Sequence, residues 1–283
     1  MRENEFTLKN ASGLDLHAKA WQPDEETRGS VALVHGLGEH IGRYQHVAEA
    51  LTRAGYALIG MDLPGHGRSG GTRGHAAFEE ITGDIDQLLE EASKRWPSKP
   101  RFLYGHSMGG AITVFYTLTC RPEVQGVIVT SPGLAAGQPV PSWKKLMAKV
   151  MGRLAPSMTL DNGLDMDNLS NDPAVVAAYK ADPLVHPKIS TRLGLDLLTR
   201  GAWVTEQAEN WPVPLLLVQG TGDHIVSPAA TEAFARRIPA HLLTYKVWEG
   251  LYHETHNEPD KEQVLRYMLD WIEKIAAQSQ NKI

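Results

Sequence analysis

The stretch Gly105-His106-Ser107-Met108-Gly109-Gly110 sets a serine among small residues, directly after the apolar run Arg101-Phe102-Leu103-Tyr104 and directly before a helical stretch over 111–118. G-x-S-x-G between a strand and a helix describes a tight turn that lifts the serine hydroxyl clear at a helix N-terminus, where it can attack a carbonyl carbon. The blander reading is a glycine-rich helix start whose serine is only an N-cap. The flanking strand and helix favour the nucleophile.

A serine hydroxyl needs a general base, and the base needs an orienting carboxylate. After such an elbow the chain order is Ser, then acid, then His. Asp223, in Gly220-Thr221-Gly222-Asp223-His224, follows the apolar run Leu215-Leu216-Leu217-Val218, although a turn aspartate would look the same. His253, in Glu249-Gly250-Leu251-Tyr252-His253-Glu254, follows a strand-like run over 243–248 and precedes the last helix. His256 shares that loop and is the rival base; His17, His46 and His241 fit less well. The spacing His253-Glu254-Thr255-His256 is not H-E-x-x-H and carries no helical periodicity, so neither a metal nor any other cofactor is expected. Acyl transfer also needs two backbone N–H groups aimed at an oxyanion. Met108, next after the serine, supplies one, and Leu37 in His35-Gly36-Leu37-Gly38 is the natural second, although the same glycines also suit a plain turn.

These residues need a scaffold that brings them to one edge. Val31-Ala32-Leu33-Val34, Ala57-Leu58-Ile59-Gly60-Met61, Arg101-Phe102-Leu103-Tyr104, Val127-Ile128-Val129 and Leu215-Leu216-Leu217-Val218 are short apolar runs with no polar face. Such strands belong to a parallel sheet covered on both sides. Helical stripes lie between them, with Tyr44, Val47, Ala48 and Leu51 on one face, then Phe78, Ile81, Ile85, Leu88, Leu89 and Ala92. The last is Val264, Tyr267, Met268, Trp271, Ile272 and Ile275. The alternation predicts right-handed crossovers and a doubly wound α/β sheet, preceded by an antiparallel hairpin over 6–9 and 14–21. From Ser131 to Trp211 no convincing strand appears, and the interval reads as an all-helical insertion capping the carboxyl edge of the sheet. Its stripe Trp143, Leu146, Met147, Val150, Met151 and Leu154 either packs inward or faces water. Asp62-Leu63-Pro64-Gly65-His66-Gly67 follows another strand, and with a serine at the elbow Asp62 reads as structural.

Composition narrows the classes. The 283 residues are 42% hydrophobic and 22% charged, with net charge −5, which suits a folded domain and gives nucleic acid no basic footprint. One cysteine allows no internal disulfide, no leader-like apolar segment opens the chain, and no apolar run could span a bilayer. A soluble cytoplasmic protein is the expectation.

Four stretches together resemble the monoacylglycerol lipase group of α/β-hydrolases: His35-Gly36-Leu37-Gly38-Glu39-His40-Ile41-Gly42-Arg43-Tyr44, Asp62-Leu63-Pro64-Gly65-His66-Gly67-Arg68-Ser69-Gly70, the Ser107 motif, and Tyr252-His253-Glu254. Asn171-Asp172-Pro173 through Asp182-Pro183-Leu184-Val185-His186 also fits, so the likeness covers nearly the whole chain. G-H-S-M-G-G is shared by many esterases, whereas the H-G-x-G-E-H-x-G-R-Y stretch is far narrower. The resemblance implies an α/β-hydrolase core at 1–132 and 211–283 with a helical cap at 133–210. It implies Ser107, Asp223 and His253 as catalytic triad and the Leu37 and Met108 amides as oxyanion hole. It further places Glu39, Arg43 and His106 near the pocket for the alcohol part of the substrate, although Glu39 and Arg43 read equally well as an ion pair fixing the oxyanion loop. The activity implied is hydrolysis of monoacylglycerols or similar single-chain lipid esters through an acyl-enzyme; where the stripe from Trp143 to Leu154 faces outward, the cap is expected to make transient contact with micelle or membrane surfaces. Lysophospholipase, thioesterase and aminopeptidase-like activities are alternatives on the same fold. A non-catalytic ligand-binding protein would not require this constellation.

Overall fold

The computed structural model describes residues 1–280. β1 (Arg2–Lys9) and β2 (Asp15–Gln22) form the expected hairpin, with Arg2 opposite Gln22 and Lys9 opposite Asp15. β3 (Gly29–Val34), α1 (Gln45–Arg53), β4 (Tyr56–Met61), α2 (Phe78–Arg95), β5 (Arg101–His106), α3 (Met108–Cys120) and β6 (Gly126–Thr130) then alternate as the sequence predicts. These four strands are buried throughout except at Arg101. After β6 come α4 (Ser142–Leu154), β7 (Thr159–Asp161), α5 (Pro173–Ala181), β8 (Lys188–Ser190) and α6 (Thr191–Glu206). The chain returns to the sheet with β9 (Leu215–Gly220), α7 (Pro228–Ala235), β10 (Leu243–Trp248) and α8 (Lys261–Gln280).

The main sheet runs β1-β2-β4-β3-β5-β6-β9-β10, antiparallel at the hairpin and from β2 to β4, and parallel from β4 to β10. Alternation along each strand splits the core into two layers. Leu33, Leu58, Phe102 and Leu216 join Val47 and Leu51 of α1 and Met268 and Ile272 of α8. Val34, Ile59, Leu103 and Leu217 join Ile81 and Ile85 of α2, Ile112 of α3 and Phe234 of α7. Both faces are therefore covered, as a parallel sheet requires.

The interval between β6 and β9 is not all-helical, which corrects the sequence reading. β7 and β8 pair antiparallel, Leu160 opposite Ile189. Three-residue strands are too short for a period-2 pattern, and their partners lie far apart in sequence with no hairpin turn to mark them. Among the described residues no helix is long and apolar enough to cross a membrane.

Candidate active site

Ser107 lies at the carboxyl end of β5, just before α3, with φ 56° and ψ −122°. Positive φ is uncommon and strained for a residue with a side chain, and it turns the chain sharply enough to expose the hydroxyl. Two glycines make the turn possible. A Cβ on Gly105 would run into the Thr113 side chain, and one on Gly109 into the carbonyl groups of Val34 and His35.

Two further strand ends bring the partners. Asp223 follows β9 and His253 follows β10, on the edge that carries Ser107. His253 Nδ1 lies 2.9 Å from Asp223 Oδ2, and His253 Nε2 lies 2.8 Å from Ser107 Oγ. A carboxylate only accepts, so Nδ1 carries the proton and the Nε2 lone pair faces the serine hydroxyl. Asp223 is held on all sides: Oδ1 accepts the amides of Ile225 and Val226 at 2.9 and 3.0 Å, and Oδ2 also accepts Gln219 Nε2 at 3.0 Å. Burial would raise the Asp223 carboxyl, but His253 and these donors outweigh it and keep it below its usual range. Burial likewise would depress the His253 imidazole; Asp223 foremost, with Glu254 and Glu39, holds it above 6.5 instead.

The loop after β3 closes over the serine. A Cβ added to Gly36 would lie 3.2 Å from Ser107 Cβ, so backbone next to Leu37 rests on the elbow. Leu37 lines the same cleft as Ser107, and Met108 opens α3, where the first amides have no partner within the helix. Asp62 lies elsewhere, accepting the amides of Ile41 and Arg68 at 2.9 and 2.8 Å.

Glu39 and Arg43 form part of a buried network. Glu39 Oε1 accepts the Gly36 amide at 2.5 Å and the Tyr44 hydroxyl at 2.8 Å, and Oε2 accepts Arg43 at 2.6 Å. Arg43 then grips Glu254 with two bonds of 2.6 and 2.7 Å. One guanidinium thus ties the Leu37 loop to the loop of His253. Burial alone would raise both carboxyls; Arg43 overrides it and keeps each below its ordinary range.

His106 and His256 lie behind His253. His106 sits between the other two rings, with centroids 4.9 Å from His253 and 4.7 Å from His256. Burial first, and His253 second, push His106 down to about 4, and burial keeps His256 well below 6.5. Both are neutral at pH 7. His256 stacks on Tyr44 at 5.1 Å, whereas the histidine bonded to Ser107 is His253.

The cleft over Ser107 is narrow, with a cavity volume of about 20 Å³. Gly36, Leu37, Glu39, His106, His253 and Glu254 form one wall, and Leu164, Met166, Leu169 and Tyr179 face them from the interval between β6 and β9. A wider groove, about 710 Å³, lies between α4 and α6 and does not reach the serine. Sequence reasoning passed over Glu254, Gln219 and Ser131, whose hydroxyl donates to the His253 carbonyl at 2.7 Å. A charged residue beside the base was the one available signal for Glu254. The wall from the interval between β6 and β9 shows no motif, because shape alone brings it there.

Comparison with known proteins agrees with this geometry. The family model described as "Serine aminopeptidase, S33" matches residues 25–260. A monoacylglycerol lipase of Mycolicibacterium smegmatis is 37% identical over 271 residues, covering 95% of this chain and 96% of its own. Phospholipase YtpA of Bacillus subtilis is 33% identical, covering 87% and 95%. The crystal structure of the Paleococcus ferrophilus monoacylglycerol lipase superimposes with a TM-score of 0.85 at 36% identity, covering 93% and 98%. The likeness extends along nearly the whole chain, which belongs to the Serine aminopeptidase, S33 family of α/β-hydrolases.

Proposed function

We propose that the protein is a serine ester hydrolase that cleaves monoacylglycerols to fatty acid and glycerol. The observation that carries this is the unbroken run of contacts from Asp223 through His253 to Ser107, under a loop whose backbone rests on the serine. Ser107 Oγ attacks the ester carbonyl while His253 Nε2 takes its proton. Charge passes to the carbonyl oxygen, which the Leu37 and Met108 amides stabilise; a donor in this role is worth roughly 10²–10³ in kcat. His253 returns the proton to the departing glycerol oxygen, leaving acyl-Ser107. Water then attacks the acyl carbon as His253 takes its proton, and His253 returns that proton to Ser107 Oγ as the fatty acid leaves. Asp223 holds the imidazole tautomer and stabilises the imidazolium in both halves.

Residues 133–210 act in this reading as a cap on a core of 1–132 and 211–283. Leu164, Met166, Leu169, Tyr179 and Ile225 offer an apolar surface to one acyl chain, and each methylene buried there is worth about 0.8 kcal/mol. Glu39 and His106 face the cleft and are the groups placed to meet the glycerol hydroxyls, with Arg43 holding Glu39 from behind. An apolar wall facing a polar one suits a single acyl chain esterified to a small polar alcohol.

The outer face of the cap suits contact with micelles or membranes. Trp143 and Leu154 on α4 are 61% and 78% exposed, Leu146, Met147 and Val150 are exposed beside them, and Met151 is half-buried. Lys145, Lys149 and Arg153 lie on the same helix. An apolar face bordered by cations partitions to lipid surfaces. We place the work of the enzyme in the cytoplasm, since a single cysteine calls for no oxidising compartment.

Purified protein should hydrolyse a dispersed long-chain monoacylglycerol faster than the matching triacylglycerol, a lysophospholipid or an aminoacyl amide. Equal rates on mono- and triacylglycerol, or preference for the amide or lysophospholipid, would replace this substrate.

A further inference from the structure

The cap meets the core in two different ways. α4 is tied mainly to the start of α6, where Thr191 Oγ1 donates to the Ala155 carbonyl and the Arg192 amide to that of Pro156. Residues 179–190, in contrast, are bonded to the core loop that carries Leu37. The His186 amide donates to the Gly38 carbonyl at 3.0 Å. Gly38 has φ +76°, and a Cβ there would collide with the His186 carbonyl, so the two backbones touch where only glycine fits. Asp182 Oδ2 lies 2.9 Å from His40 Nε2. The carboxylate fixes the proton on Nε2 and leaves His40 Nδ1 to accept the Gly42 amide at 3.2 Å, capping the short helix Ile41–Tyr44 that carries Arg43. The Tyr179 ring lies 4.6 Å from the Arg43 guanidinium.

The segment is itself anchored beyond that loop. His186 Nε2 donates to the Gly65 carbonyl at 3.0 Å, and the Ser190 amide to that of Gly74 at 2.8 Å. Leu37 therefore sits between two held neighbours: Gly36, gripped by Glu39 from the core, and Gly38, gripped by His186 from the cap.

We propose that residues 179–190 are a fixed strap that completes the oxyanion hole from the cap side, with Asp182 and His40 as the positioning pair that aims the Leu37 amide. The inference rests on the oxyanion role given to Leu37 above. In this arrangement the strap and its loop keep their contacts through turnover, and the α4 side of the cap is the part that can open for substrate. Small misplacements of a donor are costly because its strength falls steeply with distance and angle.

The test is a double-mutant cycle on a water-soluble ester, with Asp182→Ala, His40→Ala and the pair. Each single variant should lower kcat about tenfold, a fraction of the loss of a whole oxyanion donor, with KM within about twofold. The double variant should be no slower than the worse single, because both changes remove the same contact. Asp182→Asn, which can still accept from His40, should recover kcat to within about threefold of the parent. Affinity for a boronic acid, which forms a tetrahedral anion on the serine, should fall by the same factor as kcat/KM. A kcat within twofold in folded Asp182→Ala, a rise in KM alone, or losses that multiply in the pair would overturn the strap. Should Asp182→Ala fail to fold, His40→Ala and Asp182→Asn carry the same readings. Absence of ester hydrolysis in the parent protein would instead strike the function on which the strap depends.

Discussion

The wall of the cleft that carries Ser107, Asp223 and His253 and the helix α4 stand at opposite ends of the molecule's economy of contacts. On the core side the charges are answered, with buried Asp223 under four donors and half-buried Arg43 clamped between Glu39 and Glu254. On α4 large apolar side chains face water and, among its described residues, only Gly152 is buried, pressed against Thr191 and Leu195. The difference separates two demands. Proton transfer needs groups held to within fractions of an ångström, whereas admitting a lipid needs a surface that gives way and is attracted to an interface.

The largest effects lie on the rigid side. Ser107→Ala and His253→Ala should each lower kcat by roughly 10⁴ to 10⁶ without unfolding the protein. His256→Ala should stay within about tenfold of the parent, its cost appearing as lost stability from a buried stack. Equal losses at both histidines would erase the distinction between base and support. Next comes the clamp. Arg43→Met strands two buried carboxylates face to face, and breaking a buried pair this way costs about 3–5 kcal/mol. Urea unfolding should show that loss, and an unchanged midpoint would mean that Glu39 and Glu254 are not held by Arg43.

The sequence made the rigid side readable and the yielding side opaque. The elbow was legible because strand, glycine, serine, glycine and helix each answer one steric demand at Ser107. Asp223 and His253 followed from the rule that strand ends share an edge. The family resemblance chose His253 over His256, and the physical reason lies in the fold, where direction puts one ring on the serine and the other on Tyr44. Whether α4 packed inward or outward was also undecidable, since an apolar stripe has the same period in either case. The β7–β8 ribbon and the strap escaped notice because their partners are backbone atoms distant in sequence, which leave no trace in side-chain pattern.

Smaller effects test the balance of charge. Only neutral His253 can accept the serine proton, so kcat/KM should fall as pH drops through a value above 6.5, where Asp223 holds the imidazole. Asp223→Asn removes the main cause of that elevation. It should move the acid limb to lower pH while lowering the rate by roughly 10⁴. A limb near 4, where His106 titrates, would assign the base to the wrong ring. The smallest effects belong to α4. Leu146→Glu and Val150→Glu should leave stability and soluble-ester turnover within about twofold, since surface changes cost within about 0.5 kcal/mol. They should slow hydrolysis of micellar monoacylglycerol several-fold. Equal slowing on both substrates would mean that the stripe serves packing.

The most direct measurement follows modification of the protein by a serine-directed fluorophosphonate, reading the adduct by peptide mass spectrometry and monoacylglycerol hydrolysis in the same samples. The account predicts one adduct, on the peptide carrying Ser107, with residual activity falling in proportion to the modified fraction and no labelling of Ser107→Ala. Activity that survives complete modification, or an adduct on another residue, would contradict it.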